Sequence, residues 1–277
     1  MENERTQGCI VFRCALSRLF CSYRYWIEVL SAAIICFISP YIMEMVSKAA
    51  ETLSPEIVEE FRQGNVYNIG LLSIPSLVIK DYTCCDRIIA GVLSGSITQS
   101  LIMVIVTTYI SSEFSGGYFI RALILGENRS FLLAKYASAS LVGCLLPIII
   151  CPLFTGISLT VKYGMPVSDF SNLFLTLLTQ ILMMCGLVVC CVSASILLTG
   201  KGATILAIVC TMTSPLIPRY LQAILGRDLS IDDKILFCRL IKSSEMNPSI
   251  FDFIVTIITL AIIYSIGWLV TAVRSFK

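Results

Sequence analysis

Six long apolar runs dominate this sequence, and no soluble fold of 277 residues can hide them all. A helix needs roughly 20 mainly apolar residues to cross about 30 Å of hydrocarbon. Segments 25–46, 88–110, 136–159, 170–198 and 250–273 meet that requirement, and a further run begins near Ala203 and is interrupted at Pro215 and Pro218. Segment 170–198 is longer than the need and predicts a tilted helix. Composition agrees, with 57% hydrophobic and 14% charged residues against roughly 25% charged in ordinary soluble domains. A net charge of +2 gives no electrostatic footprint for nucleic acid. The pattern predicts an all-α integral membrane protein with six transmembrane helices, built as one domain over 1–277 without linker or internal repeat.

The residue inventory argues against catalysis. Histidine is absent, which removes the commonest general acid–base and the commonest metal ligand. Glu59–Glu60 beside Arg62 hints at a double-glutamate intramembrane protease, but such a site also needs histidine ligands. No C-x-x-C occurs among the 13 cysteines. Most of them lie in apolar runs, where a thiol behaves as a small hydrophobe. Met183, Met184, Cys185, Cys190 and Cys191 are read as helix packing rather than as a soft-metal site. The expectation is no catalytic residue and no metal in this chain. Whether Cys84, Cys85 and Cys238 pair is left open by the sequence.

Residues 8–24 predict an amphipathic helix lying in the headgroup layer, the alternative being a basic extension of the first span. Val11, Ala15, Leu19 and Tyr23 repeat on one face, with Arg13, Ser17 and Arg24 on another. No small-residue cleavage site follows, so this is not read as a signal peptide. Six spans place both termini on one side, and the 20 Lys and Arg residues then split evenly, so number alone gives no orientation. The opposite side carries the polar loops 47–87 and 225–248, the first with Ser54-Pro55 as a helix start. Arg219 directly after Pro218 sits awkwardly in a spanning helix; a broken, re-entrant fifth span removes the problem and makes Ser214, Pro215, Pro218 and Arg219 an outer gate.

The most informative stretch is 113–135. A span ends at Glu113; Gly116 and Gly117 permit a sharp change of direction. A short amphipathic helix follows, with Phe119, Ile120, Leu123 and Ile124 apolar and Arg121 polar; Gly126 ends it. Arg129 and Lys135 mark re-entry into the membrane. A short helix on a charged surface loop is a handle for a soluble partner.

These residues resemble the type-2 ATP-binding-cassette (ABC) permeases. That family's pattern, roughly E-x-x-x-G-x-x-x-x-x-L-x-x-G-x-x-R followed by a lysine, is filled here by Glu113, Gly117, Leu123, Gly126, Arg129 and Lys135. The likeness is sharp over about 105–140 and architectural elsewhere, and Ser115-Gly116-Gly117 departs from members that carry Lys or Asn beside one Gly. The resemblance implies a coupling helix within 113–130 gripped by a separate ATPase subunit, which holds the ATP and Mg. It implies pairing with a second permease copy or paralogue, and a bacterial plasma-membrane location with both termini cytoplasmic. It also implies export of an amphipathic peptide or hydrophobic compound, of the bacteriocin- or lantibiotic-immunity or drug-efflux kind. The competing reading is an ATP-independent immunity or scaffold protein that binds a peptide or partner in the bilayer. No cofactor is expected in this chain, because no G-x-x-x-x-G-K-[ST] occurs and Gly200-Lys201-Gly202 lacks the rest of that motif.

Lesser signals remain. Gly91 and Gly95 form a G-x-x-x-G that predicts close helix packing. Gln99 and Gln180 face the protein interior, either lining a pathway or making interhelical hydrogen bonds. Glu28 and Arg24 are spaced for a local ion pair or for docking at the interface, and Glu44 is read as reaching for water.

Overall fold

A computed structural model describes residues 2–51, 67–69, 72–74, 84–124, 129–198, 202–206, 209, 239–240, 243 and 250–273. Eight helices carry the described architecture: α1 (Glu2–Cys21), α2 (Tyr23–Glu51), α3 (Asp86–Ser94), α4 (Ser96–Ser115), α5 (Tyr118–Ile124), α6 (Arg129–Tyr163), α7 (Phe170–Leu198) and α8 (Ile250–Val273). Between α2 and α3 stand two three-residue strands, β1 (Tyr67–Ile69) and β2 (Leu72–Ile74), paired antiparallel with Tyr67 opposite Ile74. The rest of the loop 47–87 is described only at its two ends, and the helix start at Ser54-Pro55 lies outside the described residues.

Among the described residues, four stretches are long and apolar enough to cross a membrane: Tyr23–Ile42, Asp86–Ser115, Leu132–Tyr163 and Phe170–Leu198. In α8 the apolar stretch Phe253–Leu269 is shorter. The fifth apolar run is described only at 202–206 and 209, so Ser214, Pro215, Pro218 and Arg219 lie outside the described residues. Large apolar side chains remain exposed along these helices, among them Leu30 on α2, Leu153 on α6 and Ile258 on α8. Such faces suit a hydrocarbon solvent and fit a membrane-embedded protein.

The long helix α6 is the centre of the bundle, packing against α1, α2, α3, α4, α7 and α8. Leu132, Leu133, Tyr136, Met184 and Val192 belong to one core, and Cys36, Ile88, Val92, Cys151 and Leu159 to a second. Gly143 lets α1 rest on α6: a Cβ there would stand 2.2 Å from Leu19 Cδ2. The Tyr25 hydroxyl donates to the Gly143 carbonyl at 2.8 Å and fixes the start of α2 to the same place.

Several boundaries differ from the sequence reading. The helix expected over 8–24 runs from Glu2 to Cys21. The Ser22 amide turns back to the Leu19 carbonyl at 3.1 Å, and the Trp26 indole caps the Phe20 carbonyl at 2.7 Å. Ala15 and Leu19 are buried as the periodicity requires, but Tyr23 belongs to the next helix and is 68% exposed. The second span is also not one helix. It breaks at Gly95, whose φ −69° and ψ 136° are extended. Ser94 Oγ donates to the Gly91 carbonyl at 3.0 Å and Gln99 Nε2 to the Ser94 carbonyl at 2.8 Å, covering acceptors that the break exposes. Gly95 therefore marks the break, and both it and Gly91 are buried.

The end of the bundle far from α1 is tied down by polar contacts. Asp86 opens α3 and accepts the Ser168 amide at 3.0 Å, the Asp169 amide at 3.1 Å and the Ser168 hydroxyl, which pins the turn between α6 and α7. Glu44 pairs with Lys162 and, at 2.8 Å, with Lys48, while the Tyr163 hydroxyl donates to it at 2.9 Å. Glu44 thus links α2 to α6 instead of only reaching for water. Cys84 and Cys85 are free thiols, and Cys238 lies outside the described residues.

Candidate functional site

The stretch singled out by its glycines forms a tight corner between α4 and α5. The Gly116 amide bonds the Ser112 carbonyl at 2.9 Å and the Gly117 amide bonds that of Phe114 at 3.0 Å. Gly117 has φ +68°, the left-handed conformation that glycine adopts without penalty at a helix end. Gly116 is needed for space: a Cβ would lie 2.6 Å from the Tyr118 ring and 3.1 Å from the Ser112 carbonyl oxygen. The next helix, α5, begins directly, with the Arg121 amide bonded to the Gly117 carbonyl at 3.0 Å.

The corner is anchored by Glu113. Its carboxylate is buried and receives Arg18 of α1 in a two-point contact, Nε to Oε1 at 2.7 Å and a terminal nitrogen to Oε2 at 2.5 Å. Tyr136 of α6 donates its hydroxyl to Oε2 at 3.0 Å. A fork-on-carboxylate contact of this kind is among the stronger polar interactions in proteins. The hydrogen bonds that Arg18 donates to Glu113 raise its pKa above the ordinary value, against the opposing effect of burial, so the guanidinium stays charged. Tyr109 adds a second tie between α4 and α1 by donating to the Ala15 carbonyl at 3.0 Å.

An aromatic stack carries the anchor into α5. Phe119 is buried, 4.5 Å from the Phe114 ring and 5.4 Å from the Tyr136 ring, both nearly parallel to it. Arg18 also lies 4.3 Å over the Tyr118 ring, and Arg121 lies 5.5 Å from it on α5. The other side of α5 faces outward: Ile120 is 43% and Ile124 78% exposed. The helix therefore does not bury all the apolar residues assigned to one face. Phe119 and Ala122 go inward, Leu123 is half-buried, and the two isoleucines are left open.

Of the residues singled out in the sequence, the structure brings together Glu113, Gly116, Gly117 and Arg121. Gly126 lies outside the described residues; Arg129 is the first residue of α6, and Lys135 sits half-buried further along it. Gln180 is buried and donates to the Ala90 carbonyl at 2.8 Å and to Ser243 Oγ at 2.9 Å, an interhelical tie between α7 and α3. Gln99 is buried at the α3–α4 break. Arg18, Tyr118 and Tyr136 were not singled out. Arg18 reads in sequence as one of several interfacial arginines, and its partner is 95 residues away.

The described residues tie α5 to α1 through Arg18, to α4 through the glycine corner and to α6 through Phe119 against Tyr136. Neither a scan of protein-family models nor a search of curated proteins finds a match to this chain.

Proposed function

We propose that this chain is the transmembrane subunit of an ABC exporter, driven by ATP hydrolysis on a separate subunit. The observation that carries the reading is α5: a short surface helix with exposed Ile120, Ile124 and Arg121, rooted through Glu113 in three other helices. A soluble ATPase that grips the open face gains leverage on α1, α4 and α6 together. The membrane protein then acts as a two-state bundle whose equilibrium the ATPase shifts.

In this reading the bundle has six spans with cytoplasmic termini in a bacterial plasma membrane, and α5 belongs to the cytoplasmic coupling segment 113–130. A second permease copy or paralogue completes the pathway. Residues Ser214, Pro215, Pro218 and Arg219 gate its outer end, and Gln99 and Gln180 stand at its wall. The substrate is an amphipathic peptide or hydrophobic compound, as in lantibiotic immunity or drug efflux. Covalent chemistry, ATP and Mg belong to the partner.

The test is copurification. Extracted in a mild detergent from its native membrane, the chain should bring with it an ATPase carrying a phosphate-binding G-x-x-x-x-G-K-[ST] loop, in stoichiometric amount. Recovery of the permease alone, over several detergents that keep it folded, would support the ATP-independent scaffold instead.

A further inference from the structure

Beside the Glu113 anchor lies a second feature that the transport reading does not use. A cavity of about 220 Å³ opens between the α1–α2 junction and α4. Arg24, Glu28, Thr108 and Ser112 are among its walls, and the Arg18–Glu113 pair, satisfied within itself, closes one side. Arg24 and Glu28 stand one turn apart on α2, about 6 Å of helix rise. That spacing suits an ion pair, yet none joins them among the described residues. The Arg24 Nε donates to the Tyr23 hydroxyl at 3.3 Å, which leaves its terminal nitrogens open. Glu28 Oε1 accepts from Thr108 Oγ1 at 3.3 Å, and no hydrogen bond among the described residues reaches Oε2. One wall of the cavity therefore presents an arginine with open terminal nitrogens beside a carboxylate with one open oxygen.

The depth of the cavity says what meets it. Tyr23 and Trp26 are 68% and 49% exposed at the start of a membrane-spanning stretch, the position of an interfacial aromatic belt. Ile27, Leu30 and Ile34 continue along α2 as exposed apolar surface, where acyl chains can lie. A polar cavity with separated opposite charges, at headgroup depth above an apolar helix face, matches a zwitterionic lipid better than a water-soluble ion.

We propose that this cavity binds the headgroup of a membrane lipid carrying a phosphodiester and a primary ammonium, with the phosphate on Arg24 and the ammonium on Glu28. The two-carbon link of an ethanolamine headgroup separates its charges by a distance that the turn of α2 can bridge. An ammonium offers three N–H donors to the Glu28 carboxylate; a trimethylated choline offers none, and a glycerol headgroup brings no positive charge. The proposal stands independently of any ATPase.

The full-length chain, purified in mild detergent and freed of endogenous lipid, is titrated with phosphatidylethanolamine, phosphatidylcholine and phosphatidylglycerol of identical short acyl chains, and retention is read by native mass spectrometry. The expected result is about tenfold tighter binding of phosphatidylethanolamine, the size of one charge-assisted hydrogen bond. Glu28→Gln should reduce it to the level of phosphatidylcholine, and Arg24→Gln should weaken all three. Equal binding of the three lipids by the unaltered chain overturns the proposal, whatever the variants do. So does a preference that survives Glu28→Gln. Water-soluble glycerophosphoethanolamine separates the sources: binding as tight as that of the lipid would reassign the cavity to a free metabolite.

Discussion

Replacing Arg18 with alanine is expected to destabilise the folded chain by about 3–5 kcal/mol, the usual cost of leaving a buried charge without its partner. The effect should exceed that of Glu113→Ala. In the pair, the Arg18 side chain is 30% exposed and the Glu113 side chain 3%. With Glu113 gone, the guanidinium can still turn to water. With Arg18 gone, the carboxylate keeps only the Tyr136 hydroxyl at 3.0 Å and stays enclosed. Glu113→Ala is therefore expected to cost about 2–3 kcal/mol, near the penalty for one buried polar group left unsatisfied. The double variant should cost less than the sum, because it leaves no unpaired charge behind, only the Tyr136 hydroxyl without its acceptor. Equilibrium unfolding in mixed micelles, run as a double-mutant cycle, measures all three. A coupling near zero would mean that α1 is not held to the corner by this contact.

The second large effect concerns the corner itself. Gly117→Val places a β-branched residue at φ +68°, where no neighbour lies within 4 Å of the added Cβ. The cost is backbone strain of about 1–3 kcal/mol, not a clash, and its relief re-aims α5. Arg121→Glu leaves the backbone alone and reverses the exposed charge of α5; Arg129→Glu reverses the formal charge of the residue that opens α6. Gly117→Val, and Arg121→Glu combined with Arg129→Glu, are each expected to abolish substrate-stimulated ATP hydrolysis by the reconstituted complex. Membrane insertion and the basal turnover of the ATPase should remain. Full stimulation in both would remove the coupling role from this segment.

Helices whose identity depends on local pattern were legible in the sequence. Segments 170–198 and 250–273 match α7 and α8 residue for residue, because long apolar runs with polar flanks leave little choice of boundary. The short helix after the glycine pair was legible too, since Gly116 and Gly117 carry the turn in their own chemistry. What stayed hidden depends on partners distant along the chain. Gly95 reads as a packing glycine until Gln99 and Ser94 are seen covering the carbonyls of a break. Arg18 reads as one more basic residue of the N-terminal helix until Glu113, 95 residues away, folds beneath it. The outward face of Ile120 and Ile124 follows from Phe119 taking the inward place between Phe114 and Tyr136, with Ala122 also buried. Periodicity alone could not decide which apolar residue won it.

The account turns on whether α5 is gripped by an ATPase, and Ile124, at 78% exposure, is the position that reports on it. A photo-crosslinking side chain substituted for Ile124 in intact membranes should yield one dominant adduct with a nucleotide-binding ATPase subunit, its intensity changing when ATP is trapped on that subunit. The same probe returning only lipid or uncrosslinked chain, in native membranes that contain nucleotide-binding ATPase subunits, would contradict it.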